Sequence, residues 1–472
     1  MSAELVLLLM VVSFFVLLAI GVPLAWSMFG VGLLFGFIEF GPAVFSLTLA
    51  RFGDITGSFS LIAIPLFVFM ANMLSVSGIA GELFEAIHRW MGGIRGGLAM
   101  ASVVTCTVLA AMVGTGGAGI VIMGLIALPA MMALGYNRHM AMGSIVAGGS
   151  LGLMIPPSVM FILYGMFSGQ SIGALFIGGI GPGLLLAVLY VLYIGIRSYL
   201  QPHLAPVPGE VVAVGAGAGE GTASSGGGSA GHSGSGDDAG SGAVVEQHDD
   251  SFWDKVKLLK SLALPIALVL VVLGSIYLGI ASVGEASGIG AAGSILAAGV
   301  RGRLNLNTLK QALYGTMRTV GVVMWITLGA VTFVGVITRV GGARVIEGWL
   351  VDLPFGPWGV LITIMLILLL LGMVIDVIGL VVLTVPIFAP IVAGLGFDPL
   401  WFGILFNMNL QLAFLSPPFG YGMFYLKSVA PKDVTTADLY RSVFPFLLLQ
   451  LLALAIVMMF PEIVSWLPAQ MG

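Results

Sequence analysis

The feature that most constrains this chain is the recurrence, from one end to the other, of apolar runs long enough to cross a lipid bilayer. A spanning helix needs about 20 mostly apolar residues. Runs of this kind lie near residues 5–20, 24–40, 58–77, 140–167 and 180–198, and again near 259–280, 284–300, 316–338, 399–428 and 442–460. The pattern predicts an all-α polytopic membrane protein. Composition agrees: 59% of the 472 residues are hydrophobic and 8% are charged, whereas a soluble domain carries roughly one quarter charged residues. A water-soluble enzyme, a disordered chain and a nucleic-acid binder are excluded on this ground. The net charge of -4 also offers phosphates no basic footprint. The first run begins at Glu4 rather than in a basic segment, so it is read as a retained span and not as a cleaved signal. The lone Cys106 cannot form an intrachain disulfide.

Two further apolar stretches, near 96–134 and 356–394, are interrupted midway. Each is either two full spans or one re-entrant hairpin, and both readings return the chain to its starting side. With the N-terminus outside, all of the 17 Lys and Arg residues except Arg51, Arg339 and Arg344 fall in cytoplasmic loops. The positive-inside rule favours that orientation. Each half then makes an odd number of crossings, so a second repeat at 251–472 is inverted relative to a first at 1–200. The sequence carries the same duplication. Leu134-Gly135-Tyr136 precedes Pro156-Pro157 as Leu395-Gly396-Phe397 precedes Pro417-Pro418, with a shared offset of 261 that also relates Tyr164 to Tyr425. Trp90 and Trp349, each on an amphipathic stretch, are 259 apart. Inverted repeats are a transporter architecture. Between them, residues 201–250 hold no Lys or Arg and are dominated by Gly, Ala, Ser and Asp, which predicts a flexible cytoplasmic linker.

Four segments interrupt the apolar helices. Gly114-Thr115-Gly116-Gly117 divides the first hairpin stretch, and Gly372 to Gly379, with Asp376 inside it, divides the second. Gly148-Gly149-Ser150-Leu151-Gly152 with Ile155-Pro156-Pro157-Ser158 breaks one span. Asn407, Asn409 and Gln411, followed by Leu415-Ser416-Pro417-Pro418, break its counterpart. Main chain freed from a helix inside hydrocarbon persists only where protein or a wet cavity receives it. Helix C-termini there suit a cation and half-helix N-termini suit an anion. The 261 offset sets Thr115 opposite Asp376, and Gly148 and Ser150 opposite Asn409 and Gln411. An aspartate near the bilayer centre costs about 2.5–3.5 kcal/mol, which favours a working role for Asp376. Glu285 sits at a span mouth and is read as an interface marker. No Walker loop and no His-Glu-x-x-His motif occurs, and no catalytic constellation is visible, so neither ATP binding nor an enzyme is expected.

At these residues the chain resembles the large membrane subunit of tripartite ATP-independent periplasmic (TRAP) transporters, over both halves and excluding the linker. The segments that carry the resemblance are Gly143–Gly165 and Gly372–Lys427. Phe414-Leu415-Ser416-Pro417-Pro418-Phe419-Gly420 with Phe424-Tyr425-Leu426-Lys427 is similar to a subgroup associated with 2-oxo acids, mannitol or chloroaromatic acids. The resemblance implies an elevator-type fold like that of the ion-transporter superfamily, in a bacterial inner membrane with a periplasmic N-terminus. It implies Na+-coupled uptake of an organic acid delivered by a periplasmic binding protein, and a small membrane subunit as second partner. By position, Gly114, Thr115, Gly116, Gly148, Ser150 and Gly152 would surround one Na+, and Asp376, Asn409, Gln411 and Leu415 the other. Pro157, Ser158 and Pro418 would border the substrate. The family's frequent Ser-rich first hairpin is replaced here by glycines, which points to main-chain rather than side-chain coordination at that tip. The alternatives are proton coupling through Asp376, a channel-like pore and a non-transporting scaffold.

Overall fold

The computed structural model describes residues 2–91, 93–114, 116–206 and 252–470. Most of the 201–250 linker therefore lies outside the described residues. The first half folds into α1 (Ala3–Ala19), α2 (Leu24–Phe40), α3 (Ala43–Thr56), α4 (Phe59–Val76), α5 (Ile79–Met91), α6 (Gly97–Val113), α7 (Gly116–Ala133), α8 (Arg138–Ser150), α9 (Val159–Ser168) and α10 (Ile172–Leu200). The second gives α11 (Phe252–Tyr277), α12 (Val283–Val300), α13 (Leu306–Val340), α14 (Gly342–Val351) and α15 (Gly356–Gly372). It continues with α16 (Val377–Gly394), α17 (Pro399–Leu415), α18 (Tyr421–Lys427), α19 (Thr436–Met459) and α20 (Glu462–Ser465). No strand occurs among the described residues. Seven of their helices are each long and apolar enough to cross a membrane. Large apolar side chains also cover the exterior, among them Leu8, Leu192, Leu366 and Leu448. An apolar exterior over an apolar core suits a chain whose solvent is lipid.

Local chemistry sets the helix ends. The Asn137 side chain accepts from the His139 and Met140 amides at the start of α8, satisfying donors that a helix N-terminus leaves free. Reciprocal capping boxes open α12 (Ser282 with Glu285) and α19 (Thr435 with Asp438). Glu285 is accordingly a helix cap. Gly135 and Gly396, with φ of 76° and 87°, make the same left-handed turn after α7 and after α16.

Packing repeats as the sequence does. α2 crosses α13 and α4 crosses α12. At the first crossing a Cβ on Gly32 would lie 2.9 Å from the Phe333 amide nitrogen, and one on Gly329 would lie 2.5 Å from the Ala25 carbonyl. Helices in lipid associate through such small residues. These crossings join α2 and α4 of the first half to α12 and α13 of the second. The 35-residue α13 occupies, in order, the place of α3 and α4 together. α3 covers a stretch where the sequence reading places no element, and α5 and α14 are the amphipathic helices that Trp90 and Trp349 mark.

A further set of contacts links α6–α10 with α15–α19. Each hairpin packs on the broken helix of its own half: α6 and α7 on α8, α15 and α16 on α17. Each then reaches across, α7 to α18 and α16 to α9. The Gly114 carbonyl at the first tip accepts from the Val159 amide at 3.4 Å, and the Tyr421 hydroxyl donates to the Val374 carbonyl at the second at 3.0 Å. Both tips therefore lie beside the helix breaks.

Candidate functional site

The C-termini of α6 and α8 lie at the first break, with the N-termini of α7 and α9, and those of α15 and α17 lie at the second, with the N-termini of α16 and α18. In the first half, α6 ends on Gly114 in a left-handed conformation, φ 62°, and a Cβ there would stand 2.3 Å from the Pro157 carbonyl oxygen. Only glycine meets both demands. Gly148 lets α8 approach α6, since a Cβ would lie 3.1 Å from the Val103 Cα. Gly116 opens α7 against Leu153 and the Gly149 carbonyl, and Gly152 lies in the 3-10 turn Leu151–Leu153. Ser158 closes the break. Its hydroxyl accepts from the Met160 amide at 3.3 Å and donates to the Leu153 carbonyl at 3.0 Å. The structure thus brings Gly114, Gly116, Gly148, Ser150, Gly152, Pro157 and Ser158 together. Thr115 lies outside the described residues.

The second half departs from this plan. Asp376 caps α16, its carboxylate accepting from the Ile378 amide at 3.1 Å. Asn409 donates to the Met365 carbonyl of α15 at 2.8 Å, where its counterpart Gly148 makes a bare backbone approach. Leu415 ends α17, and the Pro418 carbonyl accepts from the Tyr440 hydroxyl. Pro417 and Pro418 are exposed, whereas Pro156, Pro157 and Ser158 are buried. Both Pro–Pro bonds are cis.

Gln411 bridges the two sets. Its Nε2 donates to Ser150 Oγ at 3.0 Å, and that hydroxyl donates to the Ala147 carbonyl at 2.7 Å. These residues stand 261 apart, so repeat-equivalent side chains meet each other where the halves join. Both are fully buried, and Gln411 Oε1 has no hydrogen-bond partner.

The breaks fall later than the sequence suggests. α8 runs through Gly148 and Gly149 to Ser150, and α17 runs unbroken through Asn407, Asn409 and Gln411 to Leu415. Polar side chains inside α17 find main-chain or hydroxyl partners, so the helix has no reason to open there. Asn409 consequently offers a side chain, while Leu415 supplies the free end of the helix. No group of three or more His, Cys, Asp or Glu occurs among the described residues. The oxygens present are carbonyl, amide and hydroxyl with one carboxylate, which suit a hard cation. Two tyrosines escape the sequence reading as site residues: Tyr421, through its bond to Val374, and Tyr425, whose ring lies 2.7 Å from where a Gly117 Cβ would stand. The shared offset of Tyr164 and Tyr425 was the available signal.

The sequence model of the family described as Tripartite ATP-independent periplasmic transporter, DctM component, matches residues 11–463. The chain is 26% identical to the C4-dicarboxylate TRAP transporter large permease protein DctM of Vibrio cholerae, over 96% of this chain and 95% of that one. It is 28% identical to the isethionate TRAP transporter permease protein DctMQ of Oleidesulfovibrio alaskensis, over 95% of this chain and 64% of that protein. Its fold is similar to the crystal structure of the Alcanivorax borkumensis YdaH transporter, with a TM-score of 0.59 and 15% identity over 90% of this chain and 88% of that one.

Proposed function

The chain belongs to the DctM component family of tripartite ATP-independent periplasmic transporters, a family of multi-pass membrane permeases, and we propose that it moves a small organic anion inward by Na+ symport. The observation that carries this reading is the buried Gln411–Ser150 contact, with an unpartnered amide oxygen, where the last turns of α8 and α17 meet. An orphaned acceptor in that position costs about 1–3 kcal/mol unless something fills it, and a small cation does so. The residues present fit Na+. Gly114, Gly116, Gly148, Ser150 and Gly152, with Thr115, would hold one ion from the first half, aided by Gln411. Asp376, Asn409 and Leu415 would hold the second, to which Gln411 also belongs by position. Bound there, Na+ supplies positive charge that draws an anionic cargo to the adjacent N-termini of α7, α9 and α16. Pro157, Ser158 and Pro418 border that space.

The division into a frame (α1–α4 and α11–α13) and a second body joined through α5 and α14 supports an elevator motion, with residues 1–200 and 251–472 as inverted repeats. The Vibrio cholerae relative is named for C4-dicarboxylates and the Oleidesulfovibrio alaskensis relative for isethionate; both cargoes are anions, which supports an organic-acid substrate. The greater length of DctMQ supports a small membrane subunit as one partner, with a periplasmic binding protein as the other. We place the complex in the bacterial inner membrane with the N-terminus periplasmic.

The test is uptake of labelled organic acids into proteoliposomes holding the chain and its partners, under an imposed Na+ gradient or an imposed proton gradient. Uptake that follows Na+ supports symport. Uptake that follows protons alone transfers the coupling to Asp376, and conductance without either gradient replaces the carrier by a pore.

A further inference from the structure

Between the frame and the second body lies a cavity of about 380 Å³. One wall belongs to α13, through Val331 and Val334. The facing wall belongs to α9 and α16, through Phe167, Val382 and Pro386. Two charges sit on its rim, Arg51 and Asp54 of α3, three residues apart and so on one helix face. Both are exposed, and neither forms an ion pair among the described residues. The same helix presents Phe45 and Leu49 outward, 56% and 73% exposed, so lipid reaches its edge. We propose that this seam binds one zwitterionic phospholipid with a primary-amine headgroup, its phosphate on Arg51, its ammonium on Asp54 and an acyl chain in the slot.

Each part of the ligand answers a feature of the site. Below the rim the lining is mostly apolar, with Thr338 its one hydroxyl, so lipid methylenes gain dispersion contacts there that an empty slot forfeits. Divided by the roughly 30 Å³ that a water occupies, the volume holds about a dozen groups of methylene size. That number matches most of one acyl chain. The rim then selects the headgroup. A fatty acid or a singly anionic lipid would satisfy Arg51 and meet repulsion from Asp54. A choline headgroup carries no N–H to donate to a carboxylate. A phosphoethanolamine headgroup forms a charge-assisted bond at each end. If the bodies slide as proposed above, the bound chain lies in the sliding seam and sets the rate of movement. The binding itself does not depend on that reading.

The test begins with the full chain purified in mild detergent and stripped of lipid. It is titrated with dioleoyl phosphatidylethanolamine, dioleoyl phosphatidylcholine or dioleoyl phosphatidylglycerol, and retained lipid is counted by native mass spectrometry. One phosphatidylethanolamine per chain is expected, bound about tenfold more tightly than either competitor. Arg51→Ala should remove that preference, Asp54→Lys should transfer it to phosphatidylglycerol, and Val334→Trp should abolish retention by filling the slot. Equal retention of all three lipids by the wild-type chain overturns the proposal whatever the variants do, as does undiminished retention in folded Val334→Trp. Because lipid counting needs no transport, failure of the Na+ symport reading would leave this result standing.

Discussion

Replacing Gln411 by leucine separates a structural role from an ion-binding one. The substitution removes one donated hydrogen bond, worth about 0.5–1.5 kcal/mol net in proteins generally and about 0.6 kcal/mol on average between membrane helices. Ser150 keeps its own bond to the Ala147 carbonyl. The change also removes the partnerless Oε1, an acceptor whose burial costs about 1–3 kcal/mol. The two terms oppose each other, so the folded state should lose little, and Gln411→Leu should melt close to the wild type in Na+-free buffer. If Oε1 is a cation ligand, the Na+-dependent rise in melting temperature should move to about tenfold higher Na+, corresponding to ~1.4 kcal/mol of lost binding. Thermal unfolding of purified protein over a Na+ series, with choline holding ionic strength constant, reads both quantities. A variant that melts much lower yet keeps the wild-type Na+ response would refute the reasoning, because Gln411 would then be interhelical glue alone.

Three more substitutions probe the remaining parts. Asp376→Asn keeps a capping oxygen for the Ile378 amide while removing charge, so folding should survive and the Na+ needed for half-maximal stabilisation should rise. Asp376→Ala should in addition lower stability by about 1 kcal/mol through loss of the cap. Gly114→Ala forces a side chain into a left-handed residue and onto the Pro157 carbonyl, and should cost about 1–3 kcal/mol with loss of uptake; a wild-type melting curve would contradict the tip geometry. Asn409→Leu breaks the bond to the Met365 carbonyl and should destabilise by about 0.6–1.7 kcal/mol, measured by denaturation in detergent.

Elements governed by apolar content were legible in the sequence, while those governed by partners across space were not. The limits of α2, residues 24–40, and of both hairpin stretches follow directly from runs of hydrophobic residues bounded by glycine turns such as Gly135 and Gly396. The start of α13 was hidden because Asn307, Thr308, Lys310 and Gln311 make its first turns polar. α3 was hidden because it is amphipathic and too short to span. The polar run Asn407, Asn409 and Gln411 read as a break, since unpartnered amides disfavour helix in lipid. Only the fold supplies the Gly403 carbonyl, the Met365 carbonyl and the Ser150 hydroxyl that receive them. The 261-residue offset found the repeat-equivalent pairs, but it gave no sign that Ser150 and Gln411 touch each other.

The most direct test of the inverted arrangement is two-sided labelling of single cysteines in a Cys106→Ala background, at Arg95 before the first hairpin and at Asp352 before the second. A membrane-impermeant maleimide should reach Arg95→Cys only from the cytoplasmic side and Asp352→Cys only from the opposite one. Labelling of both from the same side would mean that the two hairpins enter the bilayer in parallel, and the paired ion sites would lose their basis.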